Sequence, residues 1–266
     1  MSWSPFPPRT NEVQFDEKWA FVRKKQDRCN LDDPADAFCG DNWDHVAFDP
    51  EHRLVLAVVP GKRNAANCHK LIEEFRQRTA GRIMRLITTD DYPSYKVAIQ
   101  EVYGLRSVPL RLAQPERGRP RTVVVKQMPP ELNYARICKQ RENGQVVKIE
   151  VEVVFGSEES VADALRASAV SRAVNTSFLE RYNGTDRHRN ARKSRQTYRF
   201  SKSWKIHEAM SYFTMYSYNF CWAVRTLASL DEQGERHPRS PAMSAGLSDH
   251  VWSLKEWVTS PATQWL

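Results

Sequence analysis

Three acidic side chains, Asp16, Asp90 and Glu180, are the residues of this chain whose type and position could do chemistry. Asp16 lies on the polar face of a predicted strand, Asp90 ends another strand, and Glu180 lies on a late helix. Mg²⁺ prefers carboxylate oxygens, and two-metal phosphodiester chemistry needs about three converging carboxylates. The pattern therefore indicates a metal-dependent site. The competing interpretation is a solvated strand residue, a helix cap and an ion-paired helix residue.

Most of the positive charge of the chain lies in one segment. Residues 181–205 contain nine Lys or Arg and one acid, so the net charge of this segment, +8, equals that of the whole chain. Such clustering favours nucleic acid as a partner over a general contribution to solubility. Glu180 lies at the edge of this basic segment, where a carboxylate could hold a metal ion against a phosphate.

Composition excludes several other classes of protein. The chain has 266 residues and 41% hydrophobic content, enough for a sizeable core. Its longest apolar run, Leu54 to Val59, is six residues, whereas a membrane helix needs roughly 20. Five scattered cysteines with no CxxC pair indicate neither a disulfide framework nor a zinc ribbon. We expect a cytoplasmic protein with no membrane partner, associated with the nucleoid if its partner is DNA.

Periodicity predicts how the first half of the chain positions these acids. Apolar and polar residues alternate from Val13 to Phe21, which predicts a half-buried strand with Asp16 on its polar face. A hairpin (43–59), a helix (67–78), a strand (83–89) and a short helix (93–102) follow. This order of elements resembles the start of a ribonuclease H-like α/β fold, in which three carboxylates meet at the edge of a mixed sheet flanked by helices.

The second half is predicted to complete that fold. Residues 105–145, rich in Pro, Arg and Gln, are expected to form an insertion before the last core helix, within which Val123 to Lys126 could add a strand. A strand (146–155), a helix (158–174) and an amphipathic helix (203–227) follow. The predicted buried stripe of that last helix is Ile206, Met210, Phe213, Phe220 and Val224. The expected division is an N-terminal arm (1–12), a catalytic domain (13–230) and a C-terminal tail (231–266), the last forming a helical extension.

Five ordered motifs resemble those of DDE transposases from bacterial insertion sequences, most closely the insertion-sequence-one family. They cover most of residues 12–230. The motifs are Gln14-Phe15-Asp16-Glu17-Lys18-Trp19, Trp43-Asp44-His45 with Ala47-Phe48-Asp49-Pro50-Glu51, Leu54 to Val59 with Gly61-Lys62-Arg63, Ile87-Thr88-Thr89-Asp90 with Tyr92, Pro93 and Tyr95, and Asn175 to Asn183 with Arg187, Arg189 to Arg192 and Phe200 to Ser203.

The resemblance implies a role for each site residue. Asp16, Asp90 and Glu180 would be the catalytic triad and would bind Mg²⁺ or Mn²⁺ for cleavage of an element end and strand transfer into target DNA. Asn183 would steady Glu180 or a metal-bound water, and Arg187 would reach phosphate. Further phosphate contacts are expected from Arg189, Arg192, Lys193, Arg195 and Lys202. The implied partners are element ends, target DNA and further copies of the chain in a homo-oligomer.

Two alternatives stay open at the level of sequence. Asp91 follows Asp90, and the two differ in strand parity, so Asp91 is the second candidate for that ligand. Members of the family normally carry an N-terminal zinc-binding and helix-turn-helix region, whereas 15 residues precede Asp16 here. The second hypothesis for function is therefore a transposase-derived DNA-binding protein or regulator without turnover.

Overall fold

A computed structural model of the chain describes residues 10–30, 32–111, 122–194 and 197–260. The strands are β1 (Glu12–Val22), β2 (Gly40–Asp49), β3 (Leu54–Gly61), β4 (Leu86–Asp90), β5 (Arg106–Arg111), β6 (Thr122–Gln127), β7 (Tyr134–Glu142), β8 (Gln145–Phe155), β9 (Ser229–Leu230) and β10 (Arg236–His237). The helices are α1 (Ala65–Arg78), α2 (Pro93–Tyr103), α3 (Glu158–Arg166), α4 (Ser177–Arg189), α5 (Trp204–Cys221), α6 (Pro241–Ser244) and α7 (Leu254–Thr259).

A six-stranded mixed sheet in the order β3-β2-β1-β4-β7-β8 forms the centre of the molecule. Strands β1, β4 and β7 run parallel, while β2, β3 and β8 pair antiparallel with their neighbours. This arrangement, with helices on both faces, confirms the predicted ribonuclease H-like α/β fold. Because β1 and β4 are adjacent and parallel, the residues at their carboxyl-terminal halves lie side by side.

Both faces of the sheet are covered by helices. On one face, α1 and α2 bury Phe75 and Ile99 against Phe15 and Ile87. On the other face, α4 and α5 contribute Leu179, Tyr182, Met215 and Tyr218 to a second core, which packs on β2 and β3. Strand β1 is therefore buried on both sides rather than half-buried, and its polar residues Gln14 and Lys18 lie beneath helices.

The predicted insertion at 105–145 is wrong in its second half. Strand β7 pairs in parallel with β4 inside the central sheet, so it belongs to the core. The added element is the two-stranded β5–β6 hairpin, which includes the segment proposed as a strand at Val123 to Lys126. The composition of this segment led to the wrong prediction because β7, which lies next to the edge strand β8, contains Arg, Lys and Gln.

Helix α3 also ends earlier than periodicity predicted, at Arg166 rather than Val174. The hydroxyl of Ser168 accepts hydrogen bonds from the backbone N–H groups of Val170 (3.1 Å) and Ser171 (2.7 Å). A short side chain that bonds nearby backbone competes with helix continuation. The chain therefore turns after α3 and begins a new helix, α4, at Ser177.

The predicted apolar stripe of α5 is displaced by about one position. The buried residues include His207, Ser211, Met215 and Tyr218, while Ile206 is exposed. Polar side chains take core positions because partners reach them from other elements. The helix also ends at Cys221, short of the predicted Leu227.

Among the described residues, the segments on both sides of each predicted boundary of the catalytic domain contact each other. At the N-terminal side, the Thr10 hydroxyl donates to Asp49 Oδ2 at 2.7 Å. Beyond residue 230, Ala242 and Trp252 are buried against Phe220 of α5. The segment from α6 to α7 is thus part of the same core. Residues 1–9 of the arm and 261–266 of the tail lie outside the described residues.

Candidate metal centre

Asp16 and Asp90 lie together at the carboxyl-terminal side of the parallel pair β1–β4. Phe15 is in register with Thr89, so the two aspartates follow on neighbouring strands. Together with Glu17, they offer three carboxyl oxygens that all lie within 4.8 Å of one another. Such a set matches what a hard divalent cation binds.

The electrostatics of this group favour a cation. Burial, with the negative charges of Asp90 and Glu17, raises the pKa of Asp16 to about 7. Burial and Glu17 likewise raise the pKa of Asp90 to about 6. Both shifts have the same two causes: loss of water around the ionised carboxylate, which is the larger, and repulsion from neighbouring carboxylates. A divalent cation between them would remove that repulsion.

Glu17 is the acid that sequence reasoning missed, because strand alternation places it on the face opposite Asp16. Its side chain is almost fully buried and accepts a hydrogen bond from the Tyr95 hydroxyl at 2.9 Å. It also forms an ion pair with Arg63. The Arg63 guanidinium lies 3.9 Å from Asp90 and stacks over the Tyr92 ring at 4.1 Å. Adjacency to Asp16 in the first motif was the available signal.

The structure places Asp90, and not Asp91, against Asp16. The Asp90 carboxylate accepts from the backbone N–H of Tyr92 at 3.1 Å, in the turn that starts α2. Asp91 is exposed and forms an ion pair with Arg136 at 2.7 Å. Since Arg136 also binds Glu152, Asp91 belongs to a surface ion-pair network.

Glu180, on α4, does not join the 4.8 Å group. Its negative charge contributes to the raised pKa of Asp16. The carboxylate is half-exposed and accepts from Lys139 Nζ at 2.7 Å and from the Thr176 hydroxyl at 3.1 Å. The Lys139 bond lowers the pKa of Glu180, so this carboxylate is ionised at neutral pH.

Two amides attach α4 to β1 and so determine where Glu180 lies. The buried Gln14 side chain donates to the Asn175 carbonyl at 2.7 Å and accepts from the Leu179 N–H at 3.0 Å. One turn beyond Glu180, the Asn183 amide donates to Asp16 Oδ2 at 3.1 Å. Asn183 therefore orients Asp16, rather than Glu180 as the sequence suggested.

A buried four-charge cluster attaches the C-terminal end of α4. It consists of Lys18, Asp44, Asp186 and Lys193, whose side chains are all fully buried. Lys193 Nζ lies 2.6 Å from Asp44 and 3.4 Å from Asp186, while Lys18 forms an ion pair with Asp186. Burial alone would raise the pKa of Asp186, but Lys193 and Lys18 outweigh it and lower the pKa.

Two of the predicted DNA contacts, Lys193 and Arg189, have partners inside the protein. Lys193 is only 2% exposed, so its ammonium neutralises buried aspartates and does not reach phosphate. The Arg189 guanidinium donates to the Thr214 carbonyl at 2.9 Å and lies over the Tyr218 ring at 5.6 Å and the Trp222 ring at 5.1 Å. Arg189 thus joins α4 to α5 while staying half-exposed, and its phosphate contact stays a prediction.

The remaining predicted contacts stay near the surface. Arg187 and Arg192 are half-buried, Lys202 is exposed, and Arg195 lies outside the described residues. Further exposed basic side chains in the same segment are Arg181, Arg199 and Lys205. The described part of this segment therefore presents positive charge at the surface.

Comparison with known proteins adds three solved structures. No family model and no curated protein matches the chain. The Mos1 strand transfer complex is 20% identical, with a TM-score of 0.23 over 35% of this chain and 31% of that chain. The Mos1 transposase paired-end complex with left transposon end is 21% identical, with a TM-score of 0.22 over 35% of this chain and 33% of that chain. The Mos1 mariner paired-end complex with Mn is 24% identical, with a TM-score of 0.23 over 35% of this chain and 32% of that chain. The chain thus spans about a third of the length of each.

Within the described residues, no helix has the length and apolar character needed to cross a bilayer. Exposed charges of the basic segment, such as Lys202 and Lys205, lie in or beside helical structure.

The Gln14 amide provides a test of how α4 is positioned. We expect Gln14→Leu to lower the free energy of unfolding by about 1–3 kcal/mol, because the buried Leu179 N–H and the part-buried Asn175 carbonyl lose their partner. Urea unfolding measures this change. The exposed Gln140, which bonds Glu150 on the surface, is the matched control, and Gln140→Leu should change stability by less than about 0.5 kcal/mol. Equal effects of the two substitutions would contradict the positioning role of Gln14.

Proposed function

We propose that this chain is a DDE-type transposase that cleaves DNA strands and transfers them in a metal-dependent reaction. The observation that carries the proposal is the pair of half-buried aspartates, Asp16 and Asp90, whose carboxylates lie together with raised pKa values. Catalytic residues would be Asp16, Asp90 and Glu180. The order of the sequence motifs supports the narrower proposal of an insertion-sequence-one type of enzyme, acting at the nucleoid.

The donor set fits Mg²⁺ or Mn²⁺, since both prefer oxygen ligands. Asp16 and Asp90 would hold the ion, with Glu180 as the third ligand. A bound ion there would supply Lewis-acid activation of water or of a 3′-hydroxyl and neutralise charge on the phosphate. The chain itself would orient the ligands: Asn183 holds one oxygen of Asp16, and Arg63 with Tyr95 holds Glu17 beside the pair.

The ion pair between Lys139 and Glu180 would control whether Glu180 is available as a metal ligand. In the structure, the Glu180 carboxylate forms an ion pair with Lys139, and its charge also raises the pKa of Asp16. Glu180 would be able to serve as the third ligand once its half-exposed side chain leaves Lys139. The released ammonium would then be available to a DNA phosphate, which is the kind of exchange that substrate binding could drive.

Removal of the Glu180 charge tests the proposal. We expect Glu180→Gln to abolish nicking of supercoiled plasmid in Mg²⁺ or Mn²⁺, because one metal ligand is lost. DNA affinity should be unchanged or slightly higher, since a negative charge near phosphate is removed. Glu159→Gln, at an exposed position in the first turn of α3, is the control and should leave nicking intact. Nicking at the wild-type rate by Glu180→Gln would refute the assignment.

A DNA-binding protein without turnover is the second candidate. The observation that favours it is the Lys139–Glu180 ion pair, which engages the third carboxylate outside the 4.8 Å group. Such a protein would bind DNA with the same salt dependence as an enzyme. It would show no nicking in either metal for wild type, and this outcome separates the two candidates.

The exposed basic surface predicts a measurable salt dependence for either candidate. Among the predicted phosphate contacts that the structure describes, Arg192 is half-buried and Lys202 is exposed, with its ammonium over the Phe200 ring. Substituting both by Ala should reduce the slope of log affinity against log salt by about two units, at about 0.9 per contact with duplex DNA. Fluorescence anisotropy across a salt series measures the slope. An unchanged slope would place the DNA path elsewhere.

A further inference from the structure

Strand β8 forms one edge of the central sheet, and most of it is exposed. The side chains from Gln145 to Glu152 are all exposed. Lys148 to Glu152 form consecutive antiparallel pairs with β7, and the register shifts at Val147. Natural proteins usually protect such an edge with proline, charged side chains, a β-bulge or a short strand. Strand β8 has 11 residues and no proline, and its two central charges, Lys148 and Glu150, are of opposite sign. The outer edge therefore presents backbone groups to which another strand could pair.

One face of this edge strand carries an apolar stripe. Val147 and Val151 are each 52% exposed and Ile149 is 63% exposed. The stripe continues into the core, since Val153 on the same face packs against Ala135 and its neighbours beneath α3. Strand register places Ile149 beside Lys139 of β7, so the stripe lies on the side of the sheet that carries Glu180.

The opposite face of β8 carries charges of both signs. Lys148 and Glu150 form an ion pair at 2.6 Å, and Glu152 binds Arg136. Two acids here would repel phosphate, so nucleic acid is a poor occupant for this edge. A polypeptide strand with complementary charges fits it better.

The sequence Val147-Lys148-Ile149-Glu150-Val151 is complementary to itself in the antiparallel direction. With a two-fold axis at Ile149, Ile149 faces its own copy and Val147 faces Val151. On the other face, Lys148 then lies opposite Glu150 in both halves of the pair. Directly opposed apolar and opposite-charge side chains are the pairs that stabilise an antiparallel ladder.

We propose that β8 pairs with β8 of a second copy of this chain, antiparallel and centred on Ile149. The six-stranded sheets of the two copies would join into one continuous sheet. The two Val147–Val151 stripes would lie side by side and contact each other, and two candidate metal centres would lie on the same face of the joined sheet. This interface does not depend on the proposed enzymatic function, because it needs neither metal nor DNA.

Charge reversal on β8 tests the pairing directly. Sedimentation velocity of the full chain without DNA should show a dimer for wild type. Lys148→Glu or Glu150→Lys alone should give a monomer, since each places like charges opposite each other across the two-fold axis. An equimolar mixture of the two variants should form a heterodimer, because each Glu then faces a Lys of the other copy. Both side chains are exposed, so the fold should persist in each variant, and circular dichroism checks it.

Controls separate this interface from a general charge effect. Arg166→Glu, on the exposed surface of α3, should leave the dimer intact. Ile149→Cys should form a disulfide between the substituted positions of the two copies under mild oxidation, because opposed residues in an antiparallel pair lie within disulfide range. Peptide mass analysis identifies the cross-linked β8 peptides.

Three results would overturn the proposal. These are a monomeric wild type across the micromolar range, single charge variants that remain dimeric, and a mixture of the two variants that fails to associate. If wild type is monomeric and Lys148→Glu instead lowers DNA affinity, the edge belongs to a nucleic-acid surface.

Discussion

Asp90→Asn is expected to reduce metal-dependent strand cleavage by at least about 10²–10³-fold, the range for removal of one preorganised electrostatic contact at a reacting centre. Asn keeps the acceptor for the Tyr92 N–H, so the turn into α2 should persist. Because the pKa of Asp90 is raised to about 6 in the folded chain, its ionisation lowers stability as pH rises from 3.8 to about 6. The melting temperature of the metal-free variant at neutral pH should therefore be unchanged or higher.

The neighbouring residue provides the matched control for this substitution. Asp91→Asn removes the same charge one residue later, but from the exposed ion pair with Arg136. We expect Asp91→Asn to cleave plasmid at nearly the wild-type rate in the same Mg²⁺ and Mn²⁺ assays. Loss of cleavage in Asp91→Asn, with activity retained in Asp90→Asn, would reverse the assignment of the second ligand.

Lys193→Met is expected to lower the free energy of unfolding by about 3–5 kcal/mol, the cost of breaking a buried ion pair by removing one partner. Met has a similar length, so the substitution removes charge with little change in packing volume. Asp44 and Asp186 would then share only Lys18 in a fully buried setting. Urea unfolding measures the loss. The salt dependence of DNA binding should not change, because Lys193 does not reach the surface.

Arg192→Met tests the residue immediately before it. Arg192 is half-buried at the surface, so its substitution should change stability by less than about 0.5 kcal/mol. It should reduce the salt slope of DNA binding by about 0.9. A stable Lys193→Met variant with a reduced slope would show that Lys193 contacts DNA and that the buried cluster is not the basis of its role.

The sequence predicted the fold better than it predicted the basic surface. Strand alternation and helix punctuation located β1, β2, β3, α1, β4 and α2, and the predicted ribonuclease H-like class is confirmed by the strand order. Errors arose where the surroundings of a strand or helix decide its polarity. Strand β7 is polar in sequence yet pairs with β4, and α5 buries Ser211 and Thr214. The triad's role as a metal ligand set stays a prediction.

The basic segment shows the same division most clearly. By itself, the sequence determined its net charge and the residue types available for phosphate or metal, since these properties are local. Only the tertiary structure decided how each cation is used. Lys193 faces two aspartates that come from β2 and α4, and Arg189 faces α5. Burial of a charge is stable only where distant segments supply its partner, and no local pattern contains that partner.

In the carboxylate centre, too, the sequence determined the local properties and the tertiary structure determined the contacts. Alternation and motif order determined that Asp16 and Asp90 lie on strands, because a period of two is a property of the local chain. The parallel pairing of β1 with β4 brought the two together, and the fold added Glu17 through contacts with Arg63 and Tyr95. The fold also brings Glu180 of α4 into an ion pair with Lys139 of β7. These are contacts between residues far apart in sequence, which packing of the whole core determines and residue spacing does not.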